Sequence, residues 1–231
     1  MPAQEGLRVS WDIDDVIVPS AEQLVIIYNE WHGTSLQVEH WNSSRDPEHW
    51  GAPTFPEAVQ RVNDVLGSER FIETVPGVPG TDKVIARLAQ IAELQIAVTG
   101  RPEDIRPQTV ALLEKHHAGV FPDEKVHFTD FYNKGNGGAI RDKLVIAREF
   151  GVTHHVEDHF SHALPLATAG IKVPLFGRYP WNQGGDDDFP PLLTRVGDMD
   201  GLGEYFEDEY AMLLEYGRVA AQAMKARRKS Y

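Results

Sequence analysis

The chain holds 231 residues, 42% hydrophobic and 25% charged, with a net charge of -13 and no cysteine. That length and balance fit one globular domain, or a core with a smaller insert. The charge disfavours long nucleic acid, which needs a basic face, and the lack of cysteine excludes disulfides, thiolate metal sites and cysteine nucleophiles.

In chain order, MPAQEGLRVS lacks the basic start and apolar core of a signal peptide. With no apolar run of bilayer-spanning length, the expectation is a cytoplasmic protein with no membrane partner. Residues 7–11, LRVSW, read as a strand ending at Asp12, although Arg8 and Ser10 interrupt the apolar run expected of a central parallel strand. Residues 19–75 break the pattern. AEQLVIIYNEWH and FPEAVQRVNDVLG are helix-like, the second with Pro56 in its first turn. Between them lies a stretch rich in Trp, His and turn formers.

After residue 75, strands and helices alternate. TDKVIARLAQIA is a helix with a Thr81 cap, and LQIAVTG is a strand. PEDIRPQTVALLEKHH is a helix that Pro107 breaks or restarts, and KVHFTD is a strand. GAIRDKLVIAREFG is a helix closed by Gly151, and THHVED is a strand. SHALPLATAG is a short helix and KVPLF a strand. Residues 184–191 read as a surface loop, and 204–228 as one or two helices, which leaves docking on the core and dimerisation equally open. The basic KARRKS near the C-terminus suits the negative end of a helix dipole. Alternation at this spacing predicts βαβ units: a three-layer α/β/α Rossmann-like core with a mostly parallel sheet, formed by residues 1–18 and 76–231, and a small helical cap, 19–75, inserted after the first strand.

Ligands of an open parallel sheet bind beyond the carboxyl ends of its strands. The residues predicted at those ends are chemically rich. Asp12, Asp14 and Asp15 follow the first strand; Thr99, Gly100 and Arg101 follow the second; Glu157 and Asp158 follow HHV. Lys143 lies early in the helix leading to that strand, 15 residues before Asp158. Crowded carboxylates raise one another's cost of ionising, and a bound cation is the simplest compensation. Mg2+ takes oxygen ligands and keeps several waters. A carboxylate can attack phosphorus, a second carboxyl can protonate the leaving oxygen, and a lysine and a hydroxyl can steady the phosphoryl charge. The inventory suits phosphoryl transfer.

These residues resemble the motifs of the haloacid dehalogenase-like (HAD) superfamily. DIDDV matches its DxDx[TV] signature, VTGRP its second motif, Lys143 its third and VEDH its acidic fourth, in order over residues 7–176. A helical insert straight after the first motif resembles the superfamily's first cap type. VPGVPG, TGRP, VED and RYPWNQ together resemble bacterial relatives of the 5'(3')-deoxyribonucleotidases. The resemblance implies Asp12 as nucleophile and metal ligand, and Asp14 as general acid and base with its backbone carbonyl on Mg2+. It implies Thr99 and Lys143 on the phosphoryl group, Asp158 in the metal site and Glu157 supporting it. Gly100 and Arg101 would bind substrate. Dehalogenases of the superfamily lack the second Asp, so Asp14 favours phosphate chemistry. The implied activity is Mg2+-dependent hydrolysis of a small phosphorylated metabolite, a nucleoside monophosphate first. A sugar phosphate, or a noncatalytic phosphate- or metal-binding role on the same fold, is the alternative.

Other candidates carry plainer readings. Asp15 reads as a solvated or backbone-bonded carboxylate. Lys134 of NKGNGG is the rival to Lys143, but the segment lacks the ending of a P-loop. His154, His155, His159 and His162 read as ordinary polar histidines rather than zinc ligands. Trp31, Trp41, Trp50, Phe55, His32, His40 and His49 read as a small aromatic core of the insert, with base stacking as the rival. Arg178 is divided between a substrate contact and the surface.

Overall fold

The computed structural model describes residues 6–40, 50–129, 141–183 and 189–228. Its centre is a parallel sheet. Strands β1 (Arg8–Trp11), β2 (Leu94–Thr99), β3 (Val126–Phe128) and β4 (His154–Val156) run in the order β3-β2-β1-β4. Strands β5 (Val173–Phe176) and β6 (Leu193–Val196) pair with each other, and bridges His154–Lys172 and Glu157–Leu175 join them to β4. The spatial order is therefore 3-2-1-4-5-6, doubly wound about β1.

The polar residues of β1 are compatible with its central place because each is satisfied across the sheet. Arg8 donates to the Phe150 carbonyl at 2.8 and 3.0 Å. Ser10 Oγ lies 2.6 Å from His155 Nδ1 on β4. Trp11 Nε1 donates to Gln95 Oε1 on β2 at 3.1 Å. A buried polar group hydrogen-bonded in this way escapes most of its desolvation penalty.

Helices cover both faces. Helices α4 (Thr81–Ile91), α5 (Arg106–His116) and α8 (Met199–Arg228) pack with Val9 and Trp11 through Ile85, Leu88, Leu112, Leu202 and Phe206. Helices α6 (Lys143–Glu149) and α7 (Phe160–Thr168) pack on the opposite face with Ile96 and Val98, through Ile146, Ala163 and Leu166. The predicted three-layer α/β/α class is the observed one.

Between β1 and α4 stand three helices, α1 (Ser20–His32), α2 (Phe55–Leu66) and α3 (Glu69–Thr74). Thr54 caps α2 by accepting the Glu57 amide, and Pro56 sits in its first turn. Leu24, Tyr28, Trp50, Ala58, Val65 and Phe71 are buried among them. The Tyr28 hydroxyl donates to the Trp50 carbonyl at 2.6 Å.

Several elements differ from the sequence reading. Strand β6 and helix α3 were not expected. The segment 102–117 splits into a 3-10 turn, Glu103–Ile105, and α5, with Pro107 in the first turn of α5. Helix α6 begins at Lys143, where Asp142 caps it by accepting the Val145 amide at 2.8 Å; residues 138–140 of the expected helix lie outside the described residues. The last segment is one helix, starting at Met199 rather than 204. Lys134, Trp41 and His49 lie outside the described residues.

Candidate active site

The loop after β1 carries the densest chemistry. Asp12 continues the strand by donating its amide to the Val156 carbonyl at 2.9 Å, so it is fixed between β1 and β4. Its Oδ1 accepts the Ile13 amide at 2.9 Å, and its Oδ2 lies 2.7 Å from Lys143 Nζ. The chain then turns sharply. Asp15 takes φ 58°, the left-handed region, and is the only such non-glycine residue among those described. Its Oδ1 accepts the Ala21 amide at 3.0 Å and starts α1. Asp15 is backbone-bonded and buried, not solvated; burial pushes its carboxyl up to about 8.

Lys143 projects from the first residue of α6 into the same centre. Its Nζ is 2.7 Å from Asp12 Oδ2 and 2.7 Å from Glu157 Oε2, with all three side chains at least nine-tenths buried. Burial opposes its charge, but the two carboxylates more than offset that and push its pKa up. Glu157, fully buried at the end of β4, also meets His155 Nε2 at 3.1 Å and accepts the His159 amide at 3.1 Å. Burial would raise Glu157, yet Lys143, His155 and His162 hold it well below the ordinary carboxylate range. The ammonium and Glu157 thus form a charge-compensated base under Asp12.

Asp12 and Asp158 are in the opposite condition. Burial pushes both carboxyls well up, and neighbouring carboxylates add to it. Asp12, Glu157 and Asp158 each present an oxygen, all within 4.8 Å of one another. An all-oxygen donor set suits a hard divalent cation such as Mg2+, whose charge would relieve this repulsion. Asp12 and Asp158 line the pocket, whereas Glu157 is fully buried behind them against Lys143 and His155, so the first two are the carboxylates placed to meet an ion from the cavity. No histidine belongs to this group among the described residues. His155 bonds Ser10 and Glu157, and His159 caps α7.

Asp14 and Arg101 form the other half of the site. Arg101 is almost fully buried, and its Nη2 donates to Asp14 Oδ1 at 2.7 Å while Nε reaches both carboxylate oxygens at 3.1 and 3.2 Å. The guanidinium packs over the Phe71 ring at 5.5 Å. Ser20 donates a short bond to Asp14 Oδ1. Burial acts to raise Asp14, but Arg101 and Ser20 outweigh it and hold the carboxyl below its usual value. Thr99 is fully buried, and its hydroxyl accepts the Arg101 amide at 3.1 Å. It fixes the turn that presents Gly100 and Arg101.

A single pocket gathers Asp12, Asp14, Gly100, Arg101, Lys143 and Asp158. Helices α1 and α2 close its opposite side with Leu24, Val59, Val62, Asn63 and Leu66, and His159, His162 and Trp181 complete the wall. Among the described residues, none of the aromatic residues of the predicted insert lines it. Trp50 is core, Trp31 is 45% exposed, and the pocket's tryptophan is instead Trp181. That ring stacks on Tyr179 with centroids 4.9 Å apart, and its Nε1 donates to Asp158 Oδ2 at 2.5 Å. Ser20, Asn63 and Trp181 are the site residues that sequence reasoning missed. RYPWN was the only trace of one of them. Arg178 is exposed.

No protein-family model matches the sequence, and no curated protein does. Solved structures do match in fold. A HAD-superfamily hydrolase of subfamily IA, variant 1, from Geobacter sulfurreducens PCA superposes with a TM-score of 0.54 at 14% identity, covering 88% of this chain and 98% of that one. CbbY from Rhodobacter sphaeroides, in complex with phosphate, gives 0.55 at 14%, covering 82% and 93%. A HAD family hydrolase from Deinococcus radiodurans R1, with bound phosphate and sodium, gives 0.54 at 14%, covering 90% and 97%. The chain has the fold of HAD-superfamily hydrolases.

Proposed function

We propose that this protein is a metal-dependent phosphomonoester hydrolase that works through an aspartyl-phosphate on Asp12, with residues 19–75 as a cap over the site. The observation that carries the reading is the buried Asp12–Lys143–Glu157 triad, 2.7 Å on each side of the ammonium, with Asp14 and Asp158 at the rim of the same pocket. Structural charge clusters rarely aim two further carboxylates into a cleft. A nucleophile that must be ionised, and a lysine that neutralises it and the phosphate together, account for the arrangement.

In the first half-reaction an Asp12 carboxylate oxygen attacks phosphorus and the ester P–O bond breaks. The leaving oxygen takes a proton from Asp14. In the second, water attacks phosphorus, Asp14 takes its proton, and the P–O bond to Asp12 breaks to release inorganic phosphate. Lys143 stays protonated and balances charge on Asp12 and the phosphoryl oxygens. Mg2+, held by Asp12, Asp158 and the Asp14 carbonyl, would supply charge neutralisation at the phosphoryl group. Arg101 holds Asp14 ionised as it stands, so Asp14 can act as an acid only once that pairing loosens. A phosphate dianion competing for the guanidinium provides the means. The substrate is a small phosphorylated metabolite, and a nucleoside monophosphate fits first.

The test is phosphate release from nucleoside 5'- and 3'-monophosphates, sugar phosphates and p-nitrophenyl phosphate, with Mg2+, with chelator, and with Asp12→Asn. Turnover that needs the metal and falls at least about 1,000-fold in the variant is expected. Turnover that survives Asp12→Asn sinks the assigned nucleophile. Metal binding by a folded protein that hydrolyses no ester favours a noncatalytic role.

A further inference from the structure

Helix α2 turns one stripe toward the pocket: Val59, Val62, Asn63 and Leu66, spaced i, i+3, i+4 and i+7. Three of the four are apolar, as a core-facing stripe requires. Asn63 is not. It is 8% exposed, and its side chain has no hydrogen bond to any described residue, while its backbone belongs to α2 and its carbonyl accepts the Gly67 amide at 2.9 Å. Its amide atoms keep some exposure, so solvent or a ligand must serve as their partner. The neighbours offer no compensation, since Leu24, Val59, Val62 and Leu66 carry no polar side-chain atoms. The residue lines the same cavity as Asp12 and Asp14.

We infer that Asn63 is a specificity-determining residue that reads a hydrogen-bonding edge on the leaving group of the phosphoester. This rests on the hydrolase reading above and narrows its substrate class. The wall around Asn63 is apolar, with one amide donor and one amide acceptor. A polyhydroxylated sugar would bury several hydroxyls there without partners. A flat ring with an apolar face and one amide-like edge satisfies both the wall and the amide. Nucleobases have that shape, and an asparagine amide can give and accept one bond each along such an edge. Trp181, held by Asp158 and backed by Tyr179, adds an aromatic surface on the same pocket.

The variant is Asn63→Leu, close in shape and without polar atoms. Two quantities are read with Mg2+ present: the ratio of kcat/KM for AMP, GMP, CMP and UMP to that for p-nitrophenyl phosphate, and the urea unfolding midpoint. The inference expects the wild type to favour nucleotides over sugar phosphates. It expects the nucleotide ratio to fall at least 10-fold in Asn63→Leu for the preferred base, and the midpoint to hold or rise. An unchanged ratio overturns it. So does a clearly lowered midpoint, which would mean that Asn63 serves the fold. If the wild type releases phosphate from p-nitrophenyl phosphate but prefers sugar phosphates, the hydrolase reading stands and this inference falls. If it hydrolyses nothing, the hydrolase reading fails. Calorimetric binding of the four nucleotides to wild type and Asn63→Leu then decides the role of Asn63 alone: weaker binding by the variant supports it, and equal binding or none overturns it.

Discussion

Lys143 is the residue on which the site's stability and its chemistry both turn. It separates Asp12 from Glu157 at 2.7 Å on either side, with all three side chains at least nine-tenths buried. Removing the ammonium leaves two buried carboxylates facing each other, and breaking a buried pair this way costs about 3–5 kcal/mol. Lys143→Met is expected to lower the unfolding free energy from urea titration by that amount and to abolish turnover. Lys143→Met/Glu157→Gln removes one of the stranded charges and should recover part of the stability, while activity stays lost. No recovery of stability in the double variant, or wild-type activity in the single variant, contradicts the assigned charge balance. At this scale much of the site was legible in the sequence. Asp12, Asp14, Thr99, Lys143 and Asp158 stand at strand ends or a helix start, and topology alone brings such positions to one rim. What could not be read is who partners whom. The pairing of Arg101 with Asp14 was not foreseen. Trp181 meets Asp158 from 23 residues away, across a turn whose path no periodicity encodes.

Elements were legible where their pattern was long. The five strands foreseen lie between helix patterns, though Arg8 and Ser10 interrupt the first and His154 and His155 open the fourth, and α2 shows both its cap and its proline. Strand β6, LTRV, was missed because only Leu193 and Val196 of its four residues are buried, so it offers neither an apolar run nor clean alternation. The start of α8 was missed because Gly201 and Gly203 argue against helix. Tertiary packing overrides them: Met199, Leu202 and Phe206 are nearly fully buried in the core, and Asp198 Oδ1 accepts the Gly201 amide at 2.9 Å. That conflict leaves stability unclaimed. A Cβ built on Gly203 would meet Val84 Cγ2 at 3.7 Å, an ordinary contact. Gly203→Ala therefore keeps the packing and removes the glycine's entropic cost, and should stabilise the protein by about 0.5–1 kcal/mol in thermal or urea unfolding. A loss of stability would show that α8 needs flexibility there.

Over the whole molecule, the charge of -13 and the buried acids make low pH an ambiguous probe, since carboxylates in the site and on the surface titrate together. His117 offers a cleaner one, because it lies at the end of α5, away from the pocket. It is 7% exposed, packs edge-on against Phe121 at 6.2 Å, and its Nε2 is buried with no hydrogen-bond partner. Burial, with a smaller push from His116 and a small opposing pull from Asp82, lowers its pKa to about 4. An unfolded histidine titrates near 6.5. Between those values the unfolded chain binds a proton that the folded chain refuses, so stability declines as pH falls from about 6.5 to about 4 and the loss is complete below that. Allowing for partial solvent screening, the contribution is about 1–2 kcal/mol. His117→Phe keeps the ring against Phe121 and cannot titrate. The difference in unfolding free energy between variant and wild type should therefore grow in the variant's favour by that amount from pH 7 to pH 4.5. A constant difference across the range would mean that the folded protein opens a path for the proton to His117, and that the end of α5 is looser than its packing implies.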